Sequence, residues 1–136
     1  MRIEALKGKN LRVAVYYRRL ISDVDNDVYF ELYAQNLRGF IESNGWTAQG
    51  YYFDEGESTN NLERLIELCK AGEIDLVMTE SMTCLDRNLS VVVSIIEEMT
   101  ALPKPVGIYF RELSLYTLDS FCQYTLKVLS TIAQNE

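Results

Sequence analysis

Apolar residues occur along this chain in short blocks that have the period of either a strand or a helix. Residues 12–17 read RVAVYY, a β-branched and aromatic run that is typical of a buried central strand. From Val28 onward, apolar residues recur every three or four positions, at Tyr29, Tyr33, Leu37, Phe40 and Ile41. This spacing predicts an amphipathic helix, which Asn44 and Gly45 are expected to end.

The later blocks continue this alternation of strand and helix. Strands are predicted at residues 46–53, 74–79 and 106–110. Two helices are predicted between them, with apolar faces formed by Leu62, Leu65, Ile66 and Cys69 and by Val92, Ile95, Ile96 and Met99. Because strands that alternate with helices form parallel sheets covered on both faces, we expect an α/β fold with three layers and a mainly parallel sheet of four to five strands.

The last block predicts a helix that begins near Leu118 and continues to the end of the chain. Its apolar positions are Phe121, Thr125, Val128, Leu129 and Ile132. Neither a glycine stop nor a capping signal follows them, so we expect this long C-terminal helix to be truncated. We expect residues 1–136 to form a single domain.

Composition limits the chemistry that the chain can perform. It contains no histidine, which excludes Ser-His-Asp and Cys-His catalysis and histidine-ligated metal sites. Cys69, Cys84 and Cys122 lack the paired spacing of a zinc site or a disulfide framework. The formal charge of −7 argues against a domain that binds nucleic acid through the electrostatic field of its net charge. No apolar stretch approaches the roughly 20 residues of a membrane helix, and we expect a soluble, cytoplasmic protein.

Polar loops are expected after three of the predicted strands. Arg18 and Arg19 follow the first strand, DEGEST at 54–59 follows the second, and TCLDRN at 83–88 follows the third. Because the carboxyl ends of parallel strands meet at one edge of the sheet, we expect a functional site at that edge.

Five segments of the chain, in this order, resemble one known family. They are RVAVYYR, LRGFIESNGW, DEGES, KAGEIDLVMTESMTCLDRN and LKVLSTIAQNE, and together they span residues 12–136. On these segments the chain resembles the N-terminal catalytic domain of the serine recombinases, the resolvases and invertases. The resemblance implies the resolvase-like version of the α/β fold.

In that family a serine attacks a DNA phosphodiester, and the strands are cleaved and rejoined through a phosphoserine link without a metal or nucleotide cofactor. The resemblance therefore implies site-specific DNA recombination, with DNA bound mainly through a C-terminal DNA-binding region that is absent from this chain. It also implies a homodimer or tetramer formed through the C-terminal helix. The alternative is that the apolar face of this helix covers the protein's own sheet. No membrane partner is expected.

The resemblance gives Arg18, Ser22 and Arg87 as candidate catalytic residues. The family nucleophile lies two residues after the arginine that ends the first strand, and this position is Leu20, which has no hydroxyl. Ser22 would serve only if the loop carries a two-residue insertion, and it is otherwise an ordinary loop or capping serine. The two arginines have a second interpretation, as ion pairs with Asp54, Glu55 or Asp86.

Two further family arginines are missing from the chain. One aligns with Cys84, and the other falls in the uncharged segment that follows DEGES, while a family glutamine aligns with Tyr33. Arginine pairs bidentately with phosphoryl oxygens, and the loss of one such transition-state donor costs roughly 3 kcal/mol. We therefore expect impaired chemistry.

The sequence is compatible with three functions. The first is a recombinase domain in which Ser22 or a rearranged loop supplies the nucleophile. The second is a cleavage-defective module for oligomerisation or regulation. The third is an unrelated flavodoxin-like domain that binds a ligand at the strand ends, which is disfavoured because bulky side chains rather than glycines follow the first strand at residues 17–20.

Overall fold

The computed structural model of the protein describes residues 2–21 and 24–134. Within these ranges the chain forms five strands, five α-helices and two 3-10 turns, at Ile3–Leu6 and Arg111–Leu113. In chain order the strands and helices are β1 (Arg12–Arg19), α1 (Asn26–Ser43), β2 (Thr47–Glu55), α2 (Asn60–Lys70), β3 (Leu76–Thr79), α3 (Met82–Leu85), α4 (Leu89–Thr100), β4 (Gly107–Phe110), β5 (Leu115–Tyr116) and α5 (Ser120–Gln134).

The five strands form one sheet in the order β2-β1-β3-β4-β5. The first four strands are parallel, and β5 is antiparallel to β4. The carboxyl ends of the parallel strands therefore meet at one edge of the sheet, where the loops expected to carry function follow them. The predicted three-layer α/β fold with a mainly parallel sheet is confirmed.

Side chains that alternate along β1 build two separate cores. Val13 and Val15 face α1 and pack in a cluster with Leu37 and Ile41. Ala14 and Tyr16 face the other way, into a cluster that includes buried residues of α2 and α4 such as Leu65, Cys69, Val92 and Ile96. This two-residue period is the reason that RVAVYY forms a strand covered on both faces.

The ends of the predicted elements differ from those observed. Strand β1 continues through Arg19, so Arg18 and Arg19 lie in the strand and not in the loop after it. Strand β2 likewise continues through Glu55. Helix α3 and strand β5 were not predicted, because four and two residues are too few to show a period.

An ion-pair cluster joins the loops at the opposite, amino edge of the sheet. Asp75 accepts hydrogen bonds from the Arg12 backbone N–H at 2.8 Å and from Arg12 Nε at 3.1 Å. Lys104 Nζ lies 2.9 Å from Asp75 Oδ1. Partial burial acts to raise the pKa of Asp75, but the hydrogen bonds from Arg12 and Lys104 outweigh it and hold the pKa far below its usual range.

The C-terminal helix α5 packs against α4 and leaves part of its apolar surface open. Val128 and Ile132 are 46% and 48% exposed. Leu126 packs against the core cluster on the α2 and α4 side of the sheet. None of the helices in the described part of the chain is long and apolar enough to cross a membrane.

Candidate functional site

The carboxyl edge of the sheet places Arg18 in a buried network of hydrogen bonds. The Arg18 side chain comes from the end of β1 and is only 9% exposed. Its Nε and Nη2 donate to the Tyr16 hydroxyl at 3.2 and 3.0 Å. Longer contacts of 3.5 Å reach the carbonyl oxygens of Gly56 and Leu85. The guanidinium is therefore held by groups of three different segments.

Asp54 completes this network from the neighbouring strand β2. Its carboxylate accepts a 2.7 Å hydrogen bond from the Tyr16 hydroxyl. It also accepts hydrogen bonds from the backbone N–H groups of Asn61 and Leu62, in the first turn of α2, each at 3.0 Å. Capping of free N–H groups stabilises a helix start, so Asp54 ties the beginning of α2 to β1. Burial and the Asp54 carboxylate raise the pKa of Tyr16, which keeps its hydroxyl a donor.

A small cavity of about 70 Å³ lies beside this network. Its lining consists of Arg18, Leu20, Gly56, Glu57, Thr83, Asp86 and Arg87. The structure thus brings together the two candidate arginines and Leu20, the residue that the resemblance aligned with the family nucleophile, which is 44% exposed. Two arginines and two acids line the same cavity, so its formal charges balance. The third candidate residue, Ser22, lies outside the described residues.

The ion pairs expected for the candidate arginines are not observed among the described residues with Asp54 or Asp86. Arg18 reaches Asp54 only through the Tyr16 hydroxyl. Arg87 is exposed. Cys84, which the resemblance aligned with a family arginine, is buried, and its sulfur lies 3.5 Å from the Ser81 hydroxyl. That position therefore contributes no positive charge to the cavity.

Sequence reasoning missed a second polar cluster at the same edge, on the α1 side. Glu80 follows β3 and accepts hydrogen bonds from Tyr33 Oη at 3.0 Å and from Arg111 Nη1 at 3.2 Å. The rings of Tyr17 and Tyr33 stack at 4.3 Å. Burial, and next the Glu80 carboxylate, raise the pKa of Tyr33. Glu80 and Arg111 each come directly after a predicted strand, a signal that could have identified them.

Arg19 lies on the α1 side of the sheet because successive strand residues point to opposite faces. Its guanidinium carbon is 3.7 Å from the centre of the Tyr29 ring, a cation–π contact with the first turns of α1. Its Nη1 atom is buried without a hydrogen-bond partner. Of the two adjacent arginines, only Arg18 borders the small cavity.

Cys69 and Cys122 are poorly suited to nucleophilic chemistry. Burial raises the pKa of Cys69 to about 12, and burial together with Asp119 raises that of Cys122 to about 11. Thiols with such values stay protonated near neutral pH, whereas the thiolate is the reactive form. Over the described ranges, no three His, Cys, Asp or Glu residues gather as they would to hold a metal ion.

The parallel sheet with one antiparallel edge strand and the arginine-bearing carboxyl edge form an α/β domain with a polar site where the strands end. Residues 13–136 match the family described as the resolvase N-terminal domain, and the chain belongs to that family. This confirms the family to which the sequence segments pointed. No curated protein matches the chain.

Solved structures of serine recombinase domains share this fold. A resolvase family site-specific recombinase from Streptococcus pneumoniae is 20% identical with a TM-score of 0.76, over 93% of this chain and 89% of that chain. The N-terminal catalytic domain of TP901-1 integrase is 20% identical with a TM-score of 0.71, over 90% and 94%. The C-terminal catalytic domain of ISC1926 TnpA, an IS607-like serine recombinase, is 15% identical with a TM-score of 0.60, over 90% and 98%.

Proposed function

We propose that this chain is the catalytic-type domain of a site-specific DNA recombinase in which strand cleavage is impaired. The observation that carries the proposal is the position of Leu20, which lines the same cavity as Arg18 and Arg87. In the family, a serine at this position attacks the DNA phosphate. A leucine side chain has no lone pair for that attack, so the cavity lacks a nucleophile at the position where the family has one.

The charge of the cavity supports the same conclusion. A phosphoryl transition state needs several donors aimed at its oxygens, and the loss of one donor costs roughly 3 kcal/mol, or about 100-fold in rate. Here Cys84 replaces one arginine, and Arg18 already donates to Tyr16. Glu57 and Asp86 add negative charge to the same lining. Even with a hydroxyl supplied by Ser22, we expect slow cleavage.

The proposed partners are DNA and further copies of the chain. DNA would bind mainly through a C-terminal region that is not part of these 136 residues. A homodimer or tetramer would form through α5, on which Val128 and Ile132 are about half exposed. A groove of about 640 Å³ between α4 and α5, lined in part by Val93, Ile96 and Leu126, offers a second, separate apolar surface.

The test is covalent attachment to DNA. The chain is fused after residue 136 to the DNA-binding region of an active serine recombinase and incubated with labelled, pre-nicked DNA that carries that recombinase's site. Denaturing electrophoresis then detects protein linked to DNA. We expect a trace of adduct from the unchanged chain, and an increased yield from Leu20→Ser combined with Cys84→Arg.

Two controls define the result. The active relative's own domain in the same fusion shows that the DNA is cleavable, and Ser22→Ala tests the shifted nucleophile. An adduct from the unchanged chain as abundant as that of the relative would refute impaired cleavage, and its loss in Ser22→Ala would identify Ser22 as the nucleophile. Complete absence of adduct with intact assembly would favour the alternative, a cleavage-defective oligomerisation or regulatory module.

A further inference from the structure

The two outer strands of the sheet differ in how well they are protected. Strand β5 has two residues, whereas β2 at the other edge has nine. Within the described ranges β2 pairs only with β1, and it is regular from Gly50 onward, after a bulge at Gln49. Exposed edges usually carry lysine, proline or an inward charge. Residues 47–53 read TAQGYYF and have none of these, and the inward charge of the strand, the buried Asp54, lies only near its end.

The backbone of β2 offers unused hydrogen-bonding groups at Tyr51, in the middle of this edge. The Phe53 carbonyl accepts a 2.6 Å hydrogen bond from Asn61 Nδ2, which indicates that it points away from β1. Alternate residues of a strand direct their backbone groups to the same side, so the N–H and carbonyl of Tyr51 face the free edge. None of the described residues outside the sheet forms a backbone hydrogen bond with Tyr51.

Helix α1 adds side chains of both charges next to the same edge. Tyr51 borders a shallow cavity of about 270 Å³ together with Glu31, Ala34, Gln35 and Arg38. Glu31 and Arg38 are exposed, and neither forms an ion pair with any residue of the described part. The Tyr51 hydroxyl is buried without a hydrogen-bond partner. An uncharged strand edge is thus flanked by one acid and one base.

We propose that the β2 edge binds the β2 edge of a second copy of this chain. The strands would run antiparallel about a two-fold axis at Tyr51 and join the two sheets into one. Because Ala34 and Gln35 lie midway between Glu31 and Arg38 on α1, an axis beside them sets each Glu31 against Arg38 of the other copy. The contact is self-complementary in hydrogen bonds and in charge, as a two-fold interface requires.

This contact is separate from the one proposed for α5. Helix α1 covers one face of the sheet, and α5 packs on α4 against the other face. Both contacts can therefore form at once and link dimers into larger assemblies. The β2 contact requires neither DNA nor strand cleavage, so it can fail or succeed independently of the proposed function.

The experiment is sedimentation equilibrium of the full chain without DNA, in a Val128→Asp and Ile132→Asp background that disables the α5 surface. We expect a monomer–dimer equilibrium in this background. Arg38→Glu alone and Glu31→Arg alone should each weaken the dimer by about tenfold or more, since each sets like charges together twice. The combined charge swap should restore the dimer to within about threefold. Arg64→Glu, on the exposed side of α2, is the matched control and should change nothing.

A second measurement reports on the strand pairing itself. Amide hydrogen exchange at Tyr51 should slow as the protein concentration increases, because its N–H becomes hydrogen-bonded in the dimer. If the protein with Val128→Asp and Ile132→Asp stays monomeric at every concentration, the proposal is wrong. A dimer that none of the charge variants weakens would also overturn it, because its contact would then lie elsewhere.

Discussion

At the scale of single residues, the site is organised around the buried side chain of Arg18. Arg18 is buried and directs its donors to the Tyr16 hydroxyl, which in turn donates to Asp54. A buried charge is tolerated when its hydrogen bonds are satisfied and becomes costly when one of them is removed. The network therefore contributes to stability as well as to the shape of the cavity.

Tyr16→Phe tests that contribution. The substitution keeps the ring in the core but leaves Arg18 and Asp54 without their shared partner, so the free energy of unfolding should fall by about 1–3 kcal/mol. Urea denaturation followed by circular dichroism measures the change. Tyr124→Phe, at a side chain that is 71% exposed, loses a hydroxyl in solvent and should stay within about 0.5 kcal/mol of the parent. Equal effects of the two substitutions would contradict the network.

Asp75 gives a prediction for pH. Its pKa is lower in the folded chain than in the unfolded chain, so its contribution to stability is complete above the unfolded value of about 3.9 and disappears as the pH falls below it. Asp75→Asn should therefore cost stability at pH 7 and flatten the acid side of the stability profile. Urea midpoints between pH 7 and pH 2.5 measure this. Parallel profiles of the parent and the variant would exclude the effect.

At the scale of elements, the spacing of apolar residues predicted the strands and helices that are long enough to show a repeating pattern. Strand β1 and helix α1 follow their predicted faces, with Val13, Val15, Leu37 and Ile41 in one core. The cavity was only partly predictable. Family spacing placed Arg18 and Arg87 near one another, but the bridge through Tyr16 depends on the register of β1 against β2, in which Arg18 pairs with Asp54. Periodicity alone does not determine such a register.

The short strand β5, which the sequence pattern did not predict, packs against a glycine of the neighbouring strand β4. The ring of Tyr116 lies so close to Gly107 that a Cβ atom there would overlap it. Gly107→Ala should therefore displace β5 and destabilise the chain by about 1–3 kcal/mol in urea denaturation. Gly39→Ala is the matched control, because its Cβ would enter open space in α1 and alanine favours a helix, so stability should rise by up to about 1 kcal/mol.

At the scale of the whole molecule, the two faces of the sheet have different outer surfaces. Helix α1 closes one face and leaves the β2 edge beside it open. On the other face, α5 packs on α4 but leaves Val128 and Ile132 about half exposed. Exposed apolar side chains in a row along one helix favour association, because water is released when they are covered. Assembly through these surfaces would therefore depend on neither a nucleophile nor strand cleavage.

The α5 surface can be tested separately when the proposed β2 contact is weakened by Arg38→Glu. In that background, Val128→Asp with Ile132→Asp should shift the chain from dimer to monomer, since each substitution places a charge where apolar contact is expected. Light scattering after gel filtration measures the mass. Leu113→Asp is the control, because Leu113 is 58% exposed but lies outside α5. If the mass stays that of a monomer before any change in α5, then α5 does not drive association, and its apolar face serves only to cover the protein's own core.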